Sequence, residues 1–426
     1  MRVFKFGGAS VKDAKGVKNL TSIVFNSSGK LVVVVSAMGK MTNAFELLIK
    51  AYFKMEASKW EQFALIKNYH NQIVDELFET TDSIFADLDS LFQNIEDRLH
   101  RHPSLDYDFE YDQLIGYGEL ISTKIISAYM NKAGVKNCWM DARFCLRTDD
   151  KWRDASINWE LSDQLVKSAF TFKDETIYVT QGFIGSTVSD LYTSLGREGS
   201  DFSAAVFGTI LKAEKVEIWK DVPGILNADP EYFDHPKKID AMSYHEAVEL
   251  TFFGAKVIHP KTIKPLQNNN IPLHVRSFLK PDSSGTIIDA DHRTEGLKKI
   301  PVFIMKPRQV LITLSQPDFS FMDEESMSWI FGIFHDLDMK INLIQHSALN
   351  LSVSIDIPEQ GILNLVERLA QEFEVRYNDG LELLTIRYYT PEAIEKEIAH
   401  RTVYVEQKSR SIARFLVKSK KREAKN

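Results

Sequence analysis

The chain has 426 residues, 44% apolar and 26% charged, which suits a soluble globular protein of two or three domains. Its 52 basic and 59 acidic side chains leave a formal charge of -7, which argues against a general nucleic-acid binder, since such a protein needs a basic face. Cys138 and Cys145 are too few for a disulfide framework, the most apolar run (LVVVVSAMG, 31–39) is too short to cross a bilayer, and MRVFKFGGAS holds no signal-peptide core, so a reducing, cytoplasmic setting without membrane contact is expected.

VFKF (3–6) reads as a strand broken by Gly7-Gly8, after which Ser10 and Asp13 stand in capping-box register before a helix marked by Val11, Ala14, Val17 and Leu20. Residues 31–37 form a second, buried strand. The pattern from about 44 to 133 is mostly helical, with Gly134 as a stop. VKNCWMDA (135–142) and TIYVTQGF (176–183) follow as strands, then the loop SLGREGSD (194–201) and a helix from Ser203 to Leu211. VEIWKDV (216–222) is a strand followed by loop chemistry in PGILNADP, and SYHEAVELTFFG (243–254) is a helix with Ser243 and Glu246 in capping register. IPLHVRSF (271–278) closes the series, and 283–300 reads as a polar linker.

Strands alternating with helices over 1–295 imply an α/β fold with a mainly parallel sheet sandwiched by helices. Beyond 305 the order strand, helix, strand, strand, helix, strand predicts a ferredoxin-like α+β module, followed by a helix (391–399) and a strand (402–407). The basic tail, Lys408 to Lys425, is expected to be solvated.

Four loops carry candidate chemistry at strand ends, where α/β sheets bind ligands. Lys5 ends the first strand, and the glycines after it let a ligand approach the backbone. A lysine there can neutralise charge on a phosphoryl group, but the same residues also suit a plain strand-turn-helix with a surface lysine. Glu119, in GYGELIS, sits on an apolar helix and needs a partner if buried; otherwise it is an exposed helix glutamate. Arg197, Ser200 and Asp201 stand at a helix start: Arg197 suits a carboxylate, Asp201 could orient Lys5, and simple N-capping by Ser200 or Asp201 is the bland alternative. Lys220-Asp221 and GAKVIHP with Lys256 read as charged turns. There is no Walker loop, and no His/Cys cluster suggests zinc; magnesium would come with a nucleotide.

The ordered set KFGGAS, VVSAMG, GELIS, GFIG, SLGREGSDFSAA, WKDVPGILNADP, SYHEAVEL with GAKVIHPKT, and IPLHVRS with a later SGT closely resembles the aspartate kinases of the amino-acid kinase superfamily, from residue 1 to about 290. The region after 305 resembles their ACT regulatory modules, with one clear unit and a second truncated one. The resemblance implies transfer of the γ-phosphoryl group of MgATP to the side-chain carboxylate of L-aspartate, the first step toward lysine, threonine, methionine and isoleucine. It implies that Arg197, Glu119, Ser200, Thr42, Asn43 and Phe183 hold aspartate, that Lys5 stabilises the transferred phosphoryl group, and that Asp201 holds Lys5. Gly7, Gly8, Ser10, Lys220, Asp221, Leu226, Lys256 and Val257 would surround ATP, with Lys5 reaching it as well. A homodimer and an amino-acid effector at the ACT region follow from the same resemblance.

The chain departs from the family pattern at several points. Ala9 stands for a usual threonine, Glu198 for a glycine, and Glu231 for a usual arginine. Glu198 adds a negative charge beside an anion site, and its side chain is expected to point to solvent. Asn342 replaces a common aspartate in the effector segment, where FSFMDEES lacks a glycine-rich turn. Two alternatives stand beside an active aspartate kinase: a kinase for another small amino-acid carboxylate, and a ligand-binding regulatory homologue that has lost efficient transfer.

Overall fold

The computed structural model describes residues 1–255, 258–291, 300–318, 320–358 and 361–419. Within them the chain divides into two compact units. One is drawn from Met1–Ile225, Lys238–Val248 and Val257–Arg293, the other from Leu226–Lys237, Glu249–Lys256 and Thr294–Asn426.

The first part of the chain runs β1 (Arg2–Phe6), α1 (Ala14–Phe25), β2 (Leu31–Val35), α2 (Met41–Phe53), α3 (Ser58–Leu77), α4 (Ile84–Leu99), α5 (Tyr107–Ile115), α6 (Tyr117–Lys132), β3 (Cys138–Met140) and α7 (Trp159–Ala169). It continues through β4 (Ile177–Gln181), the small hairpin β5 (Ile184–Ser186) and β6 (Tyr192–Ser194), α8 (Gly199–Ile210), β7 (Lys215–Lys220), β8 (Ala241–Ser243), α9 (Tyr244–Phe252), α10 (Pro260–Asn268), β9 (Leu273–Ser277) and β10 (Thr286–Asp289). Eight of these strands form one sheet in the order β3-β4-β2-β1-β7-β9-β10-β8. Every pairing is parallel except β9 with β10. Successive strand residues face opposite sides, yet all five residues of β2 are buried, so helices cover both faces. Both α6 and α8 lie against β2.

Local signals behave as expected at several ends. Gly134, at φ 83°, follows α6 as a left-handed stop, and Val135 N donates back to Met130 O. Ser243 Oγ accepts from Glu246 N at 3.2 Å. Three expectations need correction. Ser10 does not cap α1: residues 8–11 form a short 3-10 turn, and Asp13 caps the helix by accepting from Gly16 N at 2.7 Å. The helix after the glycine loop starts at Gly199, four residues before Ser203, so Ser200 and Asp201 lie inside its first turn and neither is its N-cap. The segment 283–300 is not all linker, because Thr286–Asp289 joins the sheet beside β9 and β8; residues 292–299 lie outside the described residues.

The second unit holds β11 (Val302–Ser315), α11 (Glu324–Asp336), β12 (Ile341–His346), β13 (Asn350–Asp356), α12 (Leu363–Leu369), β14 (Glu374–Arg387), α13 (Pro391–Ile398), β15 (Arg401–Lys408) and β16 (Ile412–Ser419). They form a six-stranded antiparallel sheet in the order β12-β13-β11-β14-β16-β15. The predicted strand-helix-strand-strand-helix-strand module is present as β11 to β14. Its core joins Ile312 and Leu314 to Ile330, Phe334, Leu365 and Leu369 of α11 and α12.

The two central strands are fourteen residues long and serve two halves of the sheet. Val302–Lys306 pairs with Leu383–Arg387, which in turn pairs with β16, and Phe415, Leu384 and Ile386 pack there with Ile394 of α13 and Phe233. This half has four strands and one helix among the described residues. The chain from Lys408 is therefore not a solvated tail as far as Ser419. Ala413, Phe415, Leu416 and Val417 are fully buried, because the apolar residues of IARFLV outweigh the flanking charges; 420–426 lie outside the described residues. Asn342 of β12 has both ends of its amide engaged: Oδ1 accepts from Lys306 Nζ at 2.7 Å and Nδ2 donates to Gln309 Oε1 at 2.9 Å.

Candidate active site

The carboxyl ends of β1, β2 and β7 and the N-terminus of α8 surround a cavity of about 640 Å³. Register explains the convergence. Lys5 lies beside Ile218 of β7 and Val34 of β2, so it stands one residue short of the ends of β1 and β2 and two short of the end of β7. Phe6 pairs with Trp219, and their rings stack at 5.9 Å; Trp219 lines the cavity beside Lys220. Gly8 sits where any Cβ would fall 2.5 Å from Ala37 O, so the turn after β1 can lie against the turn after β2 only with glycine there.

One end of the cavity is a charge cluster. Lys5 Nζ lies 2.6 Å from Asp201 Oδ1, both groups being buried, and Lys220 Nζ lies 3.8 Å from Asp201 Oδ2. Burial alone would raise the Asp201 carboxyl. The charge of Lys5, then that of Lys220, outweighs it and holds the group below the ordinary carboxylate range. The first turn of α8 adds its partial positive charge. Two lysines thus share one carboxylate and leave net positive charge at the cavity wall.

The other wall suits an amino acid. Glu119 of α6 is buried, and its Oε1 accepts from Ser200 Oγ at 2.8 Å. Its Oε2 is also buried, and the backbone N–H of Ala37 faces the carboxyl. Burial pushes this carboxyl up to about 8, although the Ser200 hydrogen bond and the Lys5 charge oppose the shift. Glu119 lines the cavity, and a carboxylate there is suited to a ligand ammonium. Arg197, Thr42 and Phe183 also face the cavity.

Among the residues expected from sequence, Lys5, Gly7, Gly8, Ser10, Thr42, Glu119, Phe183, Arg197, Ser200, Asp201, Lys220 and Asp221 line this one space. Asn43 does not line it. Leu226 falls in the other compact unit, and Lys256 and Val257 lie outside the described residues. Sequence reasoning missed Arg153, Glu46, Tyr111 and Trp219 in the cavity wall. Glu46 and Tyr111 lie in a stretch legible only as helix, and Arg153 lies in a charged loop that matches no motif.

Glu198 does not extend freely into solvent. It takes the left-handed position before α8 at φ 54°, and its Oε2 accepts from His259 N at 3.0 Å, at the start of α10. Its charge thus meets a helix N-terminus, where it is favoured. Replacing Glu198 by glycine relieves about 1 kcal/mol of backbone strain and loses a hydrogen bond of about the same size. The expected Tm change in a thermal melt is therefore under about 3 °C, and a larger fall would show that the His259 link matters more than the strain.

The amino acid kinase family profile matches residues 1–277. The lysine-sensitive aspartokinase 3 of Escherichia coli (strain K12) is 30% identical over 402 residues, covering 90% of this chain and 86% of that protein. The chain belongs to the amino acid kinase family, among its aspartokinases. Two crystal structures of Escherichia coli aspartokinase III agree with this family fold, each covering 98% of this chain and 96% of theirs at a TM-score of 0.81. One holds lysine and aspartate in its T-state, at 27% identity; the other holds aspartate and ADP in its R-state, at 26% identity. No helix among the described residues of this family member is long and apolar enough to cross a membrane.

Proposed function

We propose that the chain transfers the γ-phosphoryl group of ATP to the side-chain carboxylate of L-aspartate, giving 4-phospho-L-aspartate and ADP. The observation that carries this is the placement of the Lys5–Asp201–Lys220 cluster and the Glu119–Ser200 pair in one cavity. The relative that holds aspartate and ADP supports both ligand classes.

In this reading Glu119 takes the α-ammonium and Arg197 a carboxylate by its planar fork. An oxygen of the side-chain carboxylate attacks the γ-phosphorus, and the bond from that phosphorus to the bridging oxygen of ADP breaks. The acceptor is ionised near neutral pH, so no general base is needed. Lys5 lies where charge builds on the transferred group, Asp201 fixes the lysine, and Lys220 and Asp221 stand toward the nucleotide. Gly7, Gly8 and Ser10 let the nucleotide phosphates approach the turn after β1. No cluster of three or more His, Cys, Asp or Glu suited to a resident metal occurs among the described residues. Magnesium would be carried by the phosphates, with Asp221 as the nearby carboxylate; bound there, the ion would neutralise phosphate charge.

The test is acyl-phosphate trapping. Incubation with MgATP, L-aspartate and hydroxylamine is expected to give aspartyl hydroxamate, with L-glutamate giving little. Hydroxamate from L-glutamate alone would move the reading to another acceptor. None from either acid, with nucleotide still bound, would favour a regulatory homologue.

A further inference from the structure

We propose that Arg153 is a second arginine of the acceptor site and grips the α-carboxylate of the incoming amino acid; this rests on the aspartate kinase reading above. Arg153 lines the same cavity as Glu119 and Arg197. It occupies a left-handed backbone position, φ 66°, that a non-glycine residue takes only when its surroundings hold it there. The holding group is Asp112, a buried carboxylate that accepts from Arg153 N at 2.9 Å and from Ser194 N at 3.0 Å. The loop also packs on the one that carries Arg197. A Cβ at Gly196 would meet Asp154 Oδ1 at 2.7 Å and Arg153 O at 3.1 Å, and Lys261 Nζ ties Asp154 to Leu195 O. The two arginines therefore stand on adjoining, mutually braced loops.

The Arg153 side chain is placed to bind rather than to hold the fold. Its guanidinium carbon lies 4.6 Å from the Tyr111 ring centroid, an arrangement that keeps the N–H edge, now donating to Asp108, available to a planar acceptor. Tyr111 is itself fixed by a hydrogen bond from its hydroxyl to Glu46 Oε1 at 3.2 Å. The ion pair of Arg153 is with Asp108 Oδ1 at 3.0 Å, and the two side chains are 46% and 52% exposed. Such an exposed pair contributes little stability, so the guanidinium can exchange Asp108 for a ligand carboxylate at small cost. Charge matching agrees. Aspartate brings two carboxylates and one ammonium. The side-chain carboxylate belongs at Lys5 and the ammonium at Glu119, which leaves the α-carboxylate for an arginine wall.

Arg153→Gly tests this directly, because glycine suits the left-handed position and keeps the amide that Asp112 needs. The expected result is a KM for L-aspartate raised at least tenfold, a KM for ATP within twofold, and a Tm unchanged or higher. The wild-type preference for L-aspartate over its α-amide, which keeps the reacting carboxylate, should shrink by a similar factor. Arg153→Lys should recover part of the affinity. A fall in Tm with an unchanged KM for L-aspartate would overturn the proposal, as would a loss that affects aspartate and its α-amide equally. Calorimetric titration of L-aspartate into both proteins separates this from the kinase reading. Aspartate that binds wild type at least tenfold more tightly than Arg153→Gly upholds the role of Arg153 even if no hydroxamate forms, and equal binding overturns it even if hydroxamate forms.

Discussion

Replacing Lys5 by alanine is expected to lower kcat about a thousandfold, the size found when one donor aimed at developing charge is removed. Lys5 is buried at the end of a central strand with its ammonium 2.6 Å from Asp201, so it cannot be replaced by a neighbour without moving the sheet. Lys220 is farther from Asp201, at 3.8 Å, and it is partly exposed. Removing Lys5 also leaves a buried carboxylate whose remaining cationic partner among the described residues is the more distant Lys220, and breaking a buried pair costs about 3 to 5 kcal/mol. Activity and stability would then fall together. The double variant Lys5→Met with Asp201→Asn separates them, because it removes both charges. Its Tm should recover most of the loss, while single-turnover phosphoryl transfer stays about a thousandfold slow. Recovery of transfer in the double variant would show that Lys5 serves the fold and not the reaction.

The second large effect is at Glu119, where pH and ligand pull in opposite directions. Its carboxyl is pushed up to about 8 in the folded chain, against 4.5 for the ordinary group. The folded state therefore holds a proton that the unfolded state has released. Stability falls as pH rises from 4.5 toward 8 and is level above that, a cost of about 3 kcal/mol at pH 7. Glu119→Gln has no proton to lose and can still accept from Ser200. It is expected to melt higher than wild type at pH 8, with the difference closing by about pH 4.5, in parallel thermal melts. Function runs the other way. An ammonium at the cavity favours ionised Glu119, so aspartate binding should release a proton and tighten up to tenfold per pH unit between about 6 and 8. In Glu119→Gln the KM for L-aspartate should be raised and nearly flat with pH. A wild-type KM that does not change with pH over that range would count against ammonium recognition by Glu119.

These two residues also show what a linear reading can find. Lys5 and Glu119 stand in short motifs, KFGG and GELIS, whose composition marks a strand end and an apolar helix. The parallel sheet and the ferredoxin-like module were legible because their strands and helices announce themselves by period. Element starts were less legible. Ser10 and Ser203 looked like helix starts, but Asp13 and Glu198 hold those places, because capping depends on backbone angles that a residue type only biases.

By itself the sequence determined the strand and helix order, the buried character of β2 and the chemical types gathered at the strand ends, since these follow from period, polarity and turn residues along a short window. Only the tertiary structure decided which charges face each other. Lys5 meets Asp201 across 196 positions and Glu119 meets Ser200 across 81, because sheet register and helix packing bring together groups that no local rule connects. The same holds for Arg153, which gains its place from Asp112 and Gly196, and for β16, whose partner strands must exist before its apolar residues have anything to pack against. Local sequence limits the conformations each segment can take, while burial and charge pairing are properties of the assembled chain.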